Sequence, residues 1–337
     1  MHAGTRWLAS LVLASALGCG TDQPGDSGDD GVTDDGDGTG GDGTGGDDGL
    51  GGEVIDGVTL SGEVSASGRY SGTISIAADA TIPAGVEIDV EPGSAIVAAD
   101  GVALTVSGTL LVTGATGQTV SIVPEEGSLG WKGIRAESGG SVIIHHATGT
   151  RVATLLECHA GAIACAVDAI DFEHVGKIIS AAATATLTSS RVVDMANGAV
   201  YVQAGGDLTV SDTELMTSQG DIVVTGGGRL LVEYSNIGGT VDTYEHCNLH
   251  IGQADALVVR YSNIVTGQYG MMIGGIDGAE ITHNNFEGNS TDIDPVGVVT
   301  AADFTENYWA DGTPPLGAEY DFSSAASARI AEAGPRQ

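Results

Sequence analysis

From Thr184 onward the sequence repeats itself. Apolar side chains recur at Leu187, Val210, Val232, Val259, Ile281 and Phe304, with spacings of 23, 22, 27, 22 and 23. Three residues after each stands a small polar one: Ser190, Thr213, Ser235, Ser262, Asn284 and Asn307. Two further on comes Val192, Leu215, Ile237, Ile264, Phe286 or Trp309, and Asn236, Asn263 and Asn285 fill the place between. Alternating pairs such as Val200/Val202 and Met271/Ile273 follow later in each copy. Alternation of period two predicts strands, and the glycine and polar breaks predict turns. Residues that return after a fixed interval stack at the strand spacing of ~4.8 Å. The fold class expected is therefore all-β, a solenoid of short parallel strands with an apolar interior. Its column of Ser, Thr and Asn bonds up and down the stack and offers a polar contact face.

The pattern resembles right-handed parallel β-helix proteins of the pectate-lyase-like fold. Upstream, the stretch from Thr81 to Gly93, then Leu104-Thr105-Val106-Ser107-Gly108-Thr109-Leu110 and Gly130-Trp131-Lys132-Gly133-Ile134, are similar to the opening coils of bacterial surface β-helices. Asn307-Tyr308-Trp309 is similar to an element of their last coils. The resemblance covers residues 54–312 and implies roughly eleven coils, a rod of about 50 Å at the β spacing. It implies no single activity, because the fold hosts lyases, hydrolases, epimerases and adhesins. Residues 54–64 are expected to cover the N-terminal edge. The tail, 313–337, is expected to cap the other end, with a short alanine-rich helix over 323–333.

Ahead of this body, residues 1–18 read as a secretory signal, with Arg6 in its positive start and an apolar run too short to span a bilayer. The run ends in Ala16-Leu17-Gly18-Cys19, which resembles the processing site of bacterial lipoproteins. That resemblance implies lipidation of Cys19 and, with Gly20 after it, placement at the outer membrane or cell surface. Residues 19–53 then form an acidic Gly/Asp linker with almost nothing apolar to bury, expected to be a disordered tether. Residues 20–52 hold ten aspartates, fourteen glycines and no base. Removing them from the chain's 45 acids, and Arg6 from its 11 bases, leaves 35 against ten, a net charge of -25 on residues 53–337. Such a surface excludes nucleic acid as a partner, since phosphate binding needs a basic footprint.

Candidate sites are few. Cys158 and Cys165 lie seven apart in an exported chain and are expected to form a local disulfide. Cys247 lies too far along the axis to join them and is expected to be a buried free thiol. Asp168, Asp171, Glu173, His174 and Lys177, with His145 and His146 one coil earlier, are the candidate catalytic cluster, because stacked coils can bring carboxylates together for acid/base work. His246 and His250 are the candidate metal ligands, with Cys247 expected to point to the opposite face. Trp131 and Trp309 offer sugar-stacking rings but occupy recurrent fold positions, which predicts packing instead.

Three functions follow as expectations. The first is a monomeric, non-catalytic surface lipoprotein, without cofactor, with a structural, adhesive or glycan-recognition role, whose partners are the membrane through its lipid and a glycan or surface protein. The second is a polysaccharide lyase or glycoside hydrolase using the 145–177 cluster. The third is an adhesin that takes Ca2+ through the aspartate-rich segment.

Overall fold

The computed structural model describes residues 54–240 and 246–336. They form a parallel β-solenoid of about ten turns, slightly fewer than the length suggests. The expected signal (1–18), the anchor Cys19 and the linker 19–53 lie outside the described residues.

Each turn lays one short strand on each of three faces. Face 1 carries, in successive turns, Ala164–Asp168, Thr184–Thr188, Asp207–Ser211 and Arg229–Glu233. Face 2 carries Asp171–Val175, Arg191–Met195 and Glu214–Ser218, and face 3 carries Lys177–Ala181, Val200–Gln203 and Val223–Gly226. Registry runs true along each column. Leu187 pairs with Val210, Val210 with Val232, Val232 with Val259 and Val259 with Ile281, all fully buried. Stacking like on like lets branched side chains fill the interior without gaps while the backbone bonds upward and downward. Gly149 shows what the packing demands: a Cβ there would lie 2.4 Å from the Phe172 ring of the next turn.

The first rung is the strand Val54–Glu63, paired in parallel with Gly68–Ile82. At the other end, Tyr320–Asp321 pairs with Ala302–Asp303, so the ladder continues past residue 312. Aromatic rings close that end. Phe286 stacks on Trp309 at 4.4 Å, and Phe304 lies 5.3 Å from Phe322.

The polar column behaves differently from the expected contact face. Ser190, Thr213, Ser235, Ser262, Asn284 and Asn307 are all buried. They do form the ladder: the amides of Thr213, Ser235, Ser262 and Asn284 donate to the side-chain oxygens of Ser235, Ser262, Asn284 and Asn307, at 2.7–3.3 Å. Asn284 Nδ2 also donates to the Val259 carbonyl (2.8 Å) and Asn307 Nδ2 to that of Ile281 (2.5 Å). The column sits at the corner between faces 1 and 2, where backbone groups turn inward and need partners. It serves the interior and presents nothing to a ligand.

The tail is likewise not a helical end cap. No helix occurs among the described residues. After the aromatic end, residues 326–336 run back along the outside of face 2. Ala326 N donates to Asn307 O, Ile330 N to Asn285 Oδ1, Gly334 N to Tyr261 O and Arg336 N to Asp212 Oδ1. The tail thus crosses turn after turn toward the N-terminal end and covers the Asn236–Asn263–Asn285 ladder. Alanine, glycine and serine are slim enough to lie flat there. A helix would have left these asparagine amides facing its side chains instead of an open backbone.

Candidate functional site

The corner between faces 1 and 2 decides where the 145–177 cluster goes. From His146 on, its first residue is left-handed: His146, Ala169, Ser189, Asp212, Tyr234, Tyr261, His283 and Glu306 all have φ between 49° and 60°. The chain direction swings at that residue, so neighbours on either side of it face different ways. Asp168 ends a face 1 strand and lies 2.7 Å from His145 of the turn before, while Thr188 of the turn after donates to it at 2.6 Å. The His145 and His146 rings are 4.2 Å apart. Asp171, past the corner on face 2, is held by Arg191 at 2.9 Å. Glu173 follows on the same exposed face. His174 takes a second left-handed bend and pairs with Asp194. Lys177 is on face 3, its Nζ 5.1 Å from the Tyr201 ring centroid. The structure therefore brings His145 and Asp168 together, leaves Asp171, Glu173 and His174 on face 2 and places Lys177 on face 3, with Asp171, His174 and Lys177 each tied to the following turn.

The 246–250 segment converges where the cluster does not. Cys247, Asn248 and Leu249 are three consecutive buried residues, so the strand's alternation fails here. As a result Cys247 and His250 approach one carboxylate, contrary to the opposite-face expectation. Asp221 sits one turn earlier, in line with Cys247. Its Oδ1 accepts from Cys247 N (3.1 Å) and Sγ (3.0 Å), and its Oδ2 lies 2.8 Å from His250 Nδ1. Asp221 is itself fixed by its amide, which donates to Asn197 Oδ1, and by its carbonyl, which accepts from Gly198 N. The ligating atoms of Asp221, Cys247 and His250 all lie within 4.8 Å of one another. His246 is not among these three. Asp221 went unnoticed in the sequence because its partners are 26 and 29 residues away, on a copy whose spacing is irregular.

The electrostatics follow from this contact. Burial works against the Asp221 charge, yet the bonds from His250 and Cys247 hold its carboxyl below the ordinary range. The Asp221 carboxylate raises the His250 imidazole. Burial, and then Asp221, push the Cys247 thiol far up, so it carries its proton and is no nucleophile as it stands.

Elsewhere, Cys158 and Cys165 are disulfide-bonded with Cα atoms 6.3 Å apart, and Cys247 is a buried free thiol. Trp131 and Trp309 are 1 % and 6 % exposed, which removes both as sugar platforms. Above Trp131, at the corner between faces 2 and 3, is a shallow depression of about 380 Å³ lined by Leu129, Lys132, Arg151 and His174. Leu129 is 90 % exposed. Its loop is fixed by Asp100, whose carboxylate accepts from Ser128 Oγ, Leu129 N and Gly130 N, and these bonds hold the Asp100 carboxyl low. No protein-family model, curated protein or solved structure matches this chain.

Proposed function

We propose that this protein is a non-catalytic surface lipoprotein, anchored through Cys19 and held off the membrane by its acidic linker, whose right-handed, pectate-lyase-like solenoid recognises a glycan or surface protein. The observation that carries this reading is the pairing of its outward charges along the axis. Asp168 with His145, Asp171 with Arg191 and His174 with Asp194 each join one turn to the next. Acid/base cleavage of a glycan asks instead for two carboxyl groups facing one sugar bond. Recognition is best supported at the Leu129 depression, where an exposed apolar side chain on a fixed loop stands beside Lys132 and Arg151, two of the few cations of an acidic body.

The test is to incubate the purified mature protein with anionic and neutral polysaccharides and to measure both binding and new reducing ends. Binding without cleavage, weakened at least tenfold by combining Lys132→Glu and Arg151→Glu, is the expected result. Cleavage that disappears in Asp171→Ala would overturn it. Anchoring is tested separately by radiolabelled palmitate, whose incorporation Cys19→Ala should abolish.

A further inference from the structure

We propose that Asp221, Cys247 and His250 form a binding site for one borderline-soft divalent cation, with zinc as the ion the donor set fits best. Carboxylate oxygen, thiolate sulfur and imidazole nitrogen are the three donor types of protein zinc sites, and three protein ligands with one open position is a common arrangement. Calcium and magnesium, which take oxygen ligands, are poorly served by a sulfur and a nitrogen.

Three features of the structure support the assignment. The donor atoms already lie within 4.8 Å of one another, so small side-chain movements suffice to bring them around an ion. The backbone of Asp221 is fixed on both sides, its amide donating to Asn197 Oδ1 and its carbonyl accepting from Gly198 N, so the carboxylate is presented from a held position. The site has an entrance, since Asp221 and His250 keep 15 % and 35 % of their side chains exposed while Cys247 lies beneath them. On binding, the Cys247 S–H bond breaks, its proton passes to the buffer and the sulfur pair forms the bond to the metal, while the proton on His250 Nδ1 leaves for Nε2 or the buffer and frees that nitrogen's pair for the same ion. The bonds that Asp221 now accepts from Cys247 Sγ and shares with His250 give way to metal–ligand bonds. The ion would clip one turn to the next at the longest copy of the repeat, where the 27-residue interval interrupts the regular stacking.

The test uses the full mature chain without reductant, so that the Cys158–Cys165 bond stays intact. Cobalt(II) is the first probe, because a thiolate ligand gives it a near-ultraviolet charge-transfer band. Zinc, counted by elemental analysis after dialysis, is the second. About one equivalent of each metal is expected, with the cobalt band present, and zinc should raise the melting temperature. Cys247→Ser should remove the band. His250→Ala and Asp221→Asn, which alter more exposed side chains and keep the core filled, should each lower the affinity at least tenfold. A wild-type protein with no band, or zinc retained equally by Cys247→Ser and His250→Ala, would overturn the assignment.

Discussion

Early and late turns of the solenoid close the same corner, between faces 1 and 2, in different ways. The early turns use glycine. The corner at residues 91–94 passes through Pro92 and Gly93 (φ 78°), and Ser94 N bonds back to Glu91 O. The next passes through Gly117 (φ 79°), flanked by mutual bonds between Ala115 and Gln118. Each of these corners closes partly on itself, and backbone bonds such as Gly93 N to Gln118 O (3.0 Å) join one to the next. From Ser189 on, a single left-handed residue is followed by a buried polar side chain that satisfies the backbone of the turn before it. A left-handed conformation costs a non-glycine residue roughly 1–2 kcal/mol, so the late corners are strained locally and recover that through the ladder. Partial repayment comes outside as well, where the Tyr234 and Tyr261 rings stack at 5.1 Å and Tyr261 and His283 at 4.8 Å. Early corners are thus linked through backbone bonds, whereas late ones are linked through buried side chains and depend on the identity of one another's residues.

Substitutions can break this contrast. The largest effect is expected from Asn284→Ala, which strands the Ser262 amide and the Val259 carbonyl in the interior. Two buried orphaned groups should cost about 3 kcal/mol in denaturant unfolding. Ending the chain after Ser324 removes the strap over the late turns, with its Arg336–Asp212 and Arg329–Glu287 pairs. After the entropy of ordering the strap is subtracted, about 2 kcal/mol should be lost.

Acid should mimic part of that truncation. The bond from Arg336 holds the Asp212 carboxyl below its ordinary value of 3.8. A depressed folded value means that the stabilisation is complete above the unfolded value and disappears as pH falls through the folded one. The melting-temperature difference between full and shortened chains should therefore be flat above about pH 5 and shrink below about pH 4, and Asp212→Asn should remove that pH dependence. The smallest effect is expected at an early corner. Gly93→Ala adds a Cβ that meets nothing within 4 Å, so only the backbone conformation is penalised, by about 1 kcal/mol.

The stacking columns were legible because alternation and a fixed interval are properties of residue type. Leu187 and its successors could be placed inside from the sequence alone. That the Ser/Thr/Asn column would be buried was not legible, since small polar residues at turns usually face water; only the left-handed residue before each one turns it inward. Nothing in the identities of Tyr234, Tyr261, His283 or Glu306 announces that conformation. The strap was missed because its binding is to partners as distant as Asp212, 124 residues from Arg336, and its own composition suggests a helix. Asp221 was missed because the alternation rule fails at Cys247, Asn248 and Leu249.

Interdependence of the late corners can be measured directly by amide hydrogen exchange on the native protein. The amides of Thr213, Ser235, Ser262 and Asn284 should exchange only through global unfolding, and those of Ala115 and Gln118 through local opening with a lower free energy. In Asn284→Ala, protection should fall at Ser262 and propagate to Ser235 while the early corners keep theirs. Ladder amides that exchange as readily as those at Ala115 and Gln118 would contradict it.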